Sequence, residues 1–172
     1  MLIIYIIIFI QSIMAHYNKI ITNLYLGGSY LPSKHPHLLV ENGITHIVNL
    51  ANELTVRQYD LLIYLIISID DVDVSFTKLQ DKFIKIHQFI DDGIKEGKVY
   101  VHCNCGVSRS ATIVISYLMG KLNYSLYDAF KLVKNARNII QPNLELMKVL
   151  IEYELSLTNK STFTLKNYMD QL

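Results

Sequence analysis

Lys98-Val99-Tyr100-Val101-His102-Cys103-Asn104-Cys105-Gly106-Val107-Ser108-Arg109-Ser110-Ala111-Thr112-Ile113 joins two apolar runs of different character. Residues 98–102 alternate short β-branched and aromatic side chains and predict a strand; from about 110 to 121 the chain is apolar over a helical length. Between them, residues 103–109 predict a turn. A loop that leaves a strand and opens a helix is a natural anion site, because its backbone N–H groups can converge on one tetrahedral group and the helix start adds positive potential. Gly106 lets the loop curl. Arg109 stands at the mouth of the helix, where a guanidinium can give two parallel hydrogen bonds to phosphoryl oxygens and a Lys cannot. The same donors favour the thiolate of Cys103, the nucleophilic form of a cysteine. A phosphate cradle and an activated nucleophile therefore coincide.

Working outward, 20–27 (IITNLYLG) reads as a strand ended by Gly27-Gly28, and 44–50 (ITHIVNL) and 62–69 (LIYLIISI) read as strands buried on both faces. Phe76, Leu79, Phe83, Ile86, Ile90 and Ile94 recur every three or four residues and predict a long amphipathic helix that stops at Gly97. Two further amphipathic helices are expected over 125–137 and 143–157, the second starting after Pro142. The alternation of strands and helices predicts an α/β layer, with its polar site at the carboxyl ends of the central strands.

Composition narrows the function. The 172 residues suit one domain, and 16 Lys+Arg against 15 Asp+Glu supply no field to hold a polyanion, so nucleic acid is not an expected partner. Two cysteines one residue apart form neither a disulfide framework nor a structural zinc site, which places the chain in a reducing, cytoplasmic setting without a metal. The first ten residues, MLIIYIIIFI, are all apolar. Residues 1–15 are too short to span a bilayer and lack the positive start of a signal peptide. They are expected to form an apolar leader, and packing on the domain, a homodimer contact, membrane association and a start artefact with Met14 as initiator all stay open.

Residues 20–157 resemble the dual-specificity protein phosphatases, a branch of the cysteine-dependent protein tyrosine phosphatases. The signature HCxxGxxRS is matched from His102 to Ser110, a coincidence of about one in twenty thousand for a chain of this length. NLYLGG at 23–28, GITHIVNLA at 43–51, SATIVISYLM at 110–119 and Pro142-Asn143 follow the family order. The resemblance implies a protein tyrosine phosphatase-like α/β fold with a central sheet of about five strands flanked by helices, with the catalytic domain over 16–157; residues 158–172, which open on the polar run Asn159-Lys160-Ser161-Thr162, are expected to be a mobile tail. It also implies hydrolysis of phosphotyrosine and phosphoserine/phosphothreonine in proteins through a phosphocysteine intermediate, with no cofactor. Cys103 is then the nucleophile, and Arg109 with the loop of Asn104, Cys105, Gly106, Val107 and Ser108 holds the phosphate. Ser110 steadies the departing thiolate and His102 orders the loop; the bland alternatives are an N-cap for Ser110 and a satisfied core histidine for His102.

The family places a general acid after the strand that precedes the long helix, where this chain reads Asp70-Asp71-Val72-Asp73. Counting forward from Tyr64 selects Asp71; counting back from Phe83 selects Asp73, because the stretch between is about two residues long for the family. Asp71 is preferred, then Asp73, then Asp70. Asn143 is a support residue or a helix cap. Cys105 replaces the family's usual small residue, and reads as a small apolar filler under the loop or, alternatively, as a redox partner of Cys103. The loop carries no Lys, which favours phosphoproteins over phosphoinositides or RNA 5′ ends; a phosphate-binding scaffold without turnover is the remaining alternative.

Overall fold

The structure, a computed structural model, describes residues 16–51 and 58–171. The expectations for the apolar leader fall outside the described residues. Among those residues, no helix is long and apolar enough to cross a membrane.

Strands β1 (Tyr17–Ile21), β2 (Leu24–Gly27), β3 (Ile44–Asn49), β4 (Ile63–Ile66) and β5 (Lys98–His102) form one mixed sheet in the order β1-β2-β5-β3-β4. β1 and β2 pair antiparallel and the remaining neighbours pair parallel. Residues 20–27, expected as one strand, are instead a hairpin. Asn23 takes a left-handed conformation (φ 62°), which turns the chain, and its side chain then donates to the Ile94 carbonyl. The expectation that 62–69 is buried on both faces also fails. β4 is the edge strand, and Ile63 and Ile66 are 53% and 51% exposed; a continuous apolar run does not report which strands lie at the edge.

Alternation along the central strands sorts two cores. Leu24, Leu26, Val48, Val99 and Val101 face one side; Ile47 and Tyr100 face the other. The larger side is covered by α3 (Phe76–Glu96), α4 (Arg109–Leu122), α5 (Leu126–Ala136) and α6 (Leu144–Thr158). The smaller is closed by Leu31 of α1 (Tyr30–Lys34) and Leu39 of α2 (Pro36–Glu41), two short helices with no counterpart in the sequence reading.

The helices begin and end for local reasons. Ser75, Ser125 and Asn143 cap α3, α5 and α6 by accepting from Lys78, Asp128 and Leu146 backbone N–H groups. Asn123 and Asn159 end α4 and α6 in left-handed conformations. Every residue from Arg109 to Met119 is buried, which explains why α4 is apolar all round and fixes its N-terminus against the sheet.

Residues 158–172, expected as a mobile tail, instead dock on the domain as far as they are described. Phe163 and Tyr168 are buried, and α7 (Leu165–Met169) starts with a capping box between Thr164 and Asn167. The polar stretch Asn159–Thr162 is held by the buried carboxylate of Glu154. That group accepts from Thr162 N and Oγ1, both at 2.7 Å, from Ser161 Oγ at 3.2 Å, and from Leu126 N at the start of α5 at 2.7 Å.

Candidate active site

β5 ends at His102 and α4 begins at Arg109, and the loop between them is held from outside by its carbonyls. Cys103 O accepts from His102 Nδ1 (3.1 Å), Asn104 O from Ser29 N (2.8 Å), Cys105 O from Arg137 Nη2 (3.4 Å), Gly106 O from Arg137 Nε (2.9 Å) and Val107 O from Gln141 N (2.9 Å). In a planar trans peptide the N–H points opposite to the C=O of the preceding residue. With five successive carbonyls turned to the scaffold, the amides of residues 104–108 turn to the opposite side, where a tetrahedral anion would sit. Gly106 has φ 69°, and a Cβ there would lie 2.3 Å from the Gly27 carbonyl carbon. Gly27, at the end of β2, and Gly28 after it are glycines for their own neighbours: a Cβ at 27 would meet the Tyr100 hydroxyl and His16 O, and one at 28 would lie 2.8 Å from Asn104 O, while Tyr100 Oη donates to Gly28 O at 2.7 Å.

Cys103 is buried and its Sγ lies 3.3 Å from Ser110 Oγ. Ser110 is inside α4, and the N-cap position belongs to Ser108, so the capping alternative for Ser110 does not apply. His102 is fully buried. Because its Nδ1 faces a carbonyl, which can only accept, Nδ1 carries the proton, and Nε2 has no partner among the described residues. Burial pushes this imidazole down to about 4, against a weaker opposing effect of the bond to Cys103 O, so it is neutral at physiological pH.

Arg109 is buried at the helix start. Its Nη1 donates to Ile69 O at 3.4 Å, and its Nε lies 3.0 Å from Asp71 Oδ2, a charge contact out of line for a hydrogen bond from Nε. Asp71 is thus within ion-pair distance of Arg109. Asp73 takes a left-handed conformation (φ 51°) and sends an almost fully exposed carboxylate to Lys78, 2.9 Å away, which holds it below the usual carboxylate range. Asp70 is exposed beside them. Asn143 clamps the acid loop to the phosphate loop: its Nδ2 donates to Asp71 O (2.6 Å) and its backbone N–H to Ser108 Oγ (3.1 Å), while its Oδ1 caps α6. One side chain thus caps α6 with its Oδ1 and reaches the acid loop with its Nδ2. Asp71, Arg109, Lys78 and Lys82 line a cleft of about 530 Å³.

Cys105 does not fill space under the loop. Its side chain is exposed and borders a depression with His16, Tyr30 and Lys34, because the carbonyls, not the side chains, face the scaffold here. Both cysteines are free. Among the described residues no group of three or more His, Cys, Asp or Glu is placed to hold a metal. The sequence reading passed over Arg137 and Ser29, which hold the loop's carbonyls; neither lies in a motif, and only their position in the fold gives them this task.

Comparison with known proteins is consistent with this geometry. The family model described as dual specificity phosphatase, catalytic domain, matches residues 24–156. The chain is 41% identical over 140 residues to a probable dual specificity protein phosphatase of Dictyostelium discoideum, a match covering 81% of this chain and 34% of that protein. The chain therefore spans about a third of that relative's length. It is 38% identical over 154 residues to putative tyrosine phosphatase 123R of Invertebrate iridescent virus 6, covering 84% of this chain and 96% of that protein. Among solved structures it is similar to human tyrosine phosphatase-like serine/threonine/tyrosine-interacting protein, with a TM-score of 0.73 and 32% identity over 83% of this chain and 98% of that one.

Proposed function

The chain belongs to the dual specificity phosphatase family, and from that premise we propose that it hydrolyses phosphotyrosine and phosphoserine/phosphothreonine in proteins through a phosphocysteine intermediate. Cys103 Sγ attacks phosphorus while the ester P–O bond breaks. Arg109 and the amides of residues 104–108 hold the three non-bridging oxygens, so the barrier falls by positioning and preorganised charge rather than by any group moving. Asp71 gives its proton to the departing alkoxide or phenoxide. In the second step the Asp71 carboxylate takes a proton from water, water oxygen attacks phosphorus, and the P–S bond breaks to release inorganic phosphate. The Ser110 hydroxyl, 3.3 Å from Sγ, donates to the thiolate as it leaves. His102 serves as a neutral spacer that fixes the Cys103 carbonyl, without touching substrate. Two free thiols fit a reducing, cytoplasmic setting.

The observation that carries this reading is the Asp71–Arg109 contact at 3.0 Å, which puts a proton donor beside the group that would grip the phosphate. It also weighs against a phosphate-binding scaffold, which needs no acid. In the test, Cys103→Ser abolishes hydrolysis of phosphopeptides. Asp71→Asn slows phosphothreonine peptide on the order of 100-fold or more, and an activated aryl phosphate far less, because only the poor leaving group needs the proton. Asp73→Asn stays within about twofold of wild type on both, since its carboxylate is committed to Lys78. Equal slowing by Asp71→Asn and Asp73→Asn would refute the assignment.

A further inference from the structure

Arg137, at the C-terminal end of α5, is 5% exposed, yet among the described residues it has no carboxylate partner. Its three hydrogen bonds go to neutral oxygens: Nε to Gly106 O at 2.9 Å, Nη1 to Asn18 Oδ1 on β1 at 2.8 Å, and Nη2 to Cys105 O at 3.4 Å. An uncompensated buried charge is costly, and an anion nearby would offset that cost beyond what these hydrogen bonds supply. The carbonyls Arg137 holds belong to the peptides whose N–H groups, at residues 106 and 107, turn toward the nucleophile's side of the loop. An anion on that side meets the guanidinium's field through one layer of aligned peptide dipoles.

We propose that Arg137 is a rear cation of the phosphate site, a positioning residue that fixes the loop amides toward the phosphate and counterbalances the anion bound in front of them. This rests on the reading of residues 103–109 as a phosphate cradle. Arg109 and Arg137 then divide the work. Arg109 sits on the substrate side in contact with Asp71, whereas among the described residues Arg137 hydrogen-bonds to the loop backbone and Asn18 and acts through the loop. Burial pulls the Arg137 guanidinium down from its ordinary value, and the field of Cys103 is among the effects opposing that pull. The bland reading is a brace that ties α5 to β1 and the loop for stability alone. The two readings separate on anion affinity, because a brace far from equilibrium failure leaves the amides in place.

The experiment measures tungstate binding to the full chain by calorimetry, alongside melting temperature and steady-state hydrolysis of an aryl phosphate. Arg137→Met keeps the buried stem and removes charge and donors. Tungstate affinity is expected to fall on the order of 100-fold, as is kcat/KM, the equivalent of losing charged hydrogen bonds that hold two of the five peptides. Arg137→Lys restores charge without the fork and is expected to recover about tenfold of that loss. Asn18→Leu frees only Nη1, so affinity is expected to drop several-fold with little change in melting temperature. A folded Arg137→Met that binds tungstate within twofold of wild type overturns the proposal. Should Arg137→Met fail to fold, an Asn18→Leu variant with unchanged tungstate affinity overturns it instead. A folded wild-type chain that binds no tungstate overturns the phosphate-cradle reading, and this proposal with it.

Discussion

Two buried histidines make the fold acid-sensitive in a window where carboxylates contribute little. His87, on α3, is 3% exposed, with its Nε2 2.9 Å from Ser116 Oγ and its ring stacked on Phe83. Burial pushes it down to about 4 from an ordinary 6.5, helped by the Lys121 charge and opposed by Asp91. His102 is pushed to about the same value by burial. Each is neutral in the fold and takes up a proton more readily when unfolded. The unfolded chain therefore binds more protons between pH 4 and 6.5, and stability falls as pH falls through that range. From pH 7.5 to 5 the loss is about 2 kcal/mol for each histidine, about 4 kcal/mol together, with a limiting slope of roughly 2 kcal/mol per pH unit near 5.5. That is a large part of the 5–15 kcal/mol typical of a domain. Asp73, Asp91 and Asp92 have depressed values, so their contributions persist above their unfolded value of about 3.8 and fade only below it. The window from 5 to 6.5 is thus set mainly by the histidines. Urea unfolding at several pH values, followed by far-UV circular dichroism because the chain has no Trp, reads the slope directly. His87→Phe is expected to halve the slope, whatever it does to stability at pH 7.5. A stability that stays flat between pH 6.5 and 5, or a slope unchanged by His87→Phe, would show that these histidines do not govern the acid response.

Glu154→Ala removes an acceptor that satisfies four donors, three of them backbone or hydroxyl groups of residues 161 and 162. It is expected to lower unfolding free energy by about 3 kcal/mol or more and to raise amide hydrogen exchange across 160–171, which exchange mass spectrometry measures. Gly106→Ala sets a Cβ 2.3 Å from the Gly27 carbonyl carbon in a left-handed conformation. Its expected outcome is loss of phosphatase activity by on the order of 100-fold or more, with a melting temperature several degrees lower; activity near wild type would mean the two loops do not pack this closely.

The nucleophile loop was legible because everything that defines it lies within one short stretch: a strand, a glycine, an arginine and the start of a buried helix. Long helices were legible for the same reason, since the spacing from Phe76 to Ile94 and the polar caps before them are local signals. The misreadings share a different origin. A left-handed Asn23 turns one apparent strand into two, and only pairing with β5 shows that β2, not β1, is central. Residues 159–162 look like the start of a tail because they are polar, yet Glu154 buries its charge by bonding to them. The Thr164–Asn167 box and the apolar positions 163, 165 and 168 give too short a pattern to mark a helix without the surface they dock on. Arg137 carried no local mark, because its significance lies in carbonyls some thirty residues away.

The choice among three aspartates shows how a length difference resolves in space. Forward counting from β4 and backward counting from α3 disagree by two residues, and the disagreement is informative once the loop is seen. The chain leaves β4, passes the buried Ile69 and delivers Asp71 to Arg109, where Asn143 grips its carbonyl. The turn at Asp73 comes after that point. Val72 is exposed, and Asp73 turns left-handed so that both its carbonyl and its carboxylate accept from Lys78 Nζ, two contacts with the start of α3. Residues added between the anchored aspartate and the helix change the loop's bulge without moving the aspartate, because the anchor is the sheet on one side and α6 on the other. Forward counting therefore follows the part of the path that is anchored at both ends, and backward counting crosses the turn at Asp73, where the chain bends toward Lys78 rather than toward Arg109.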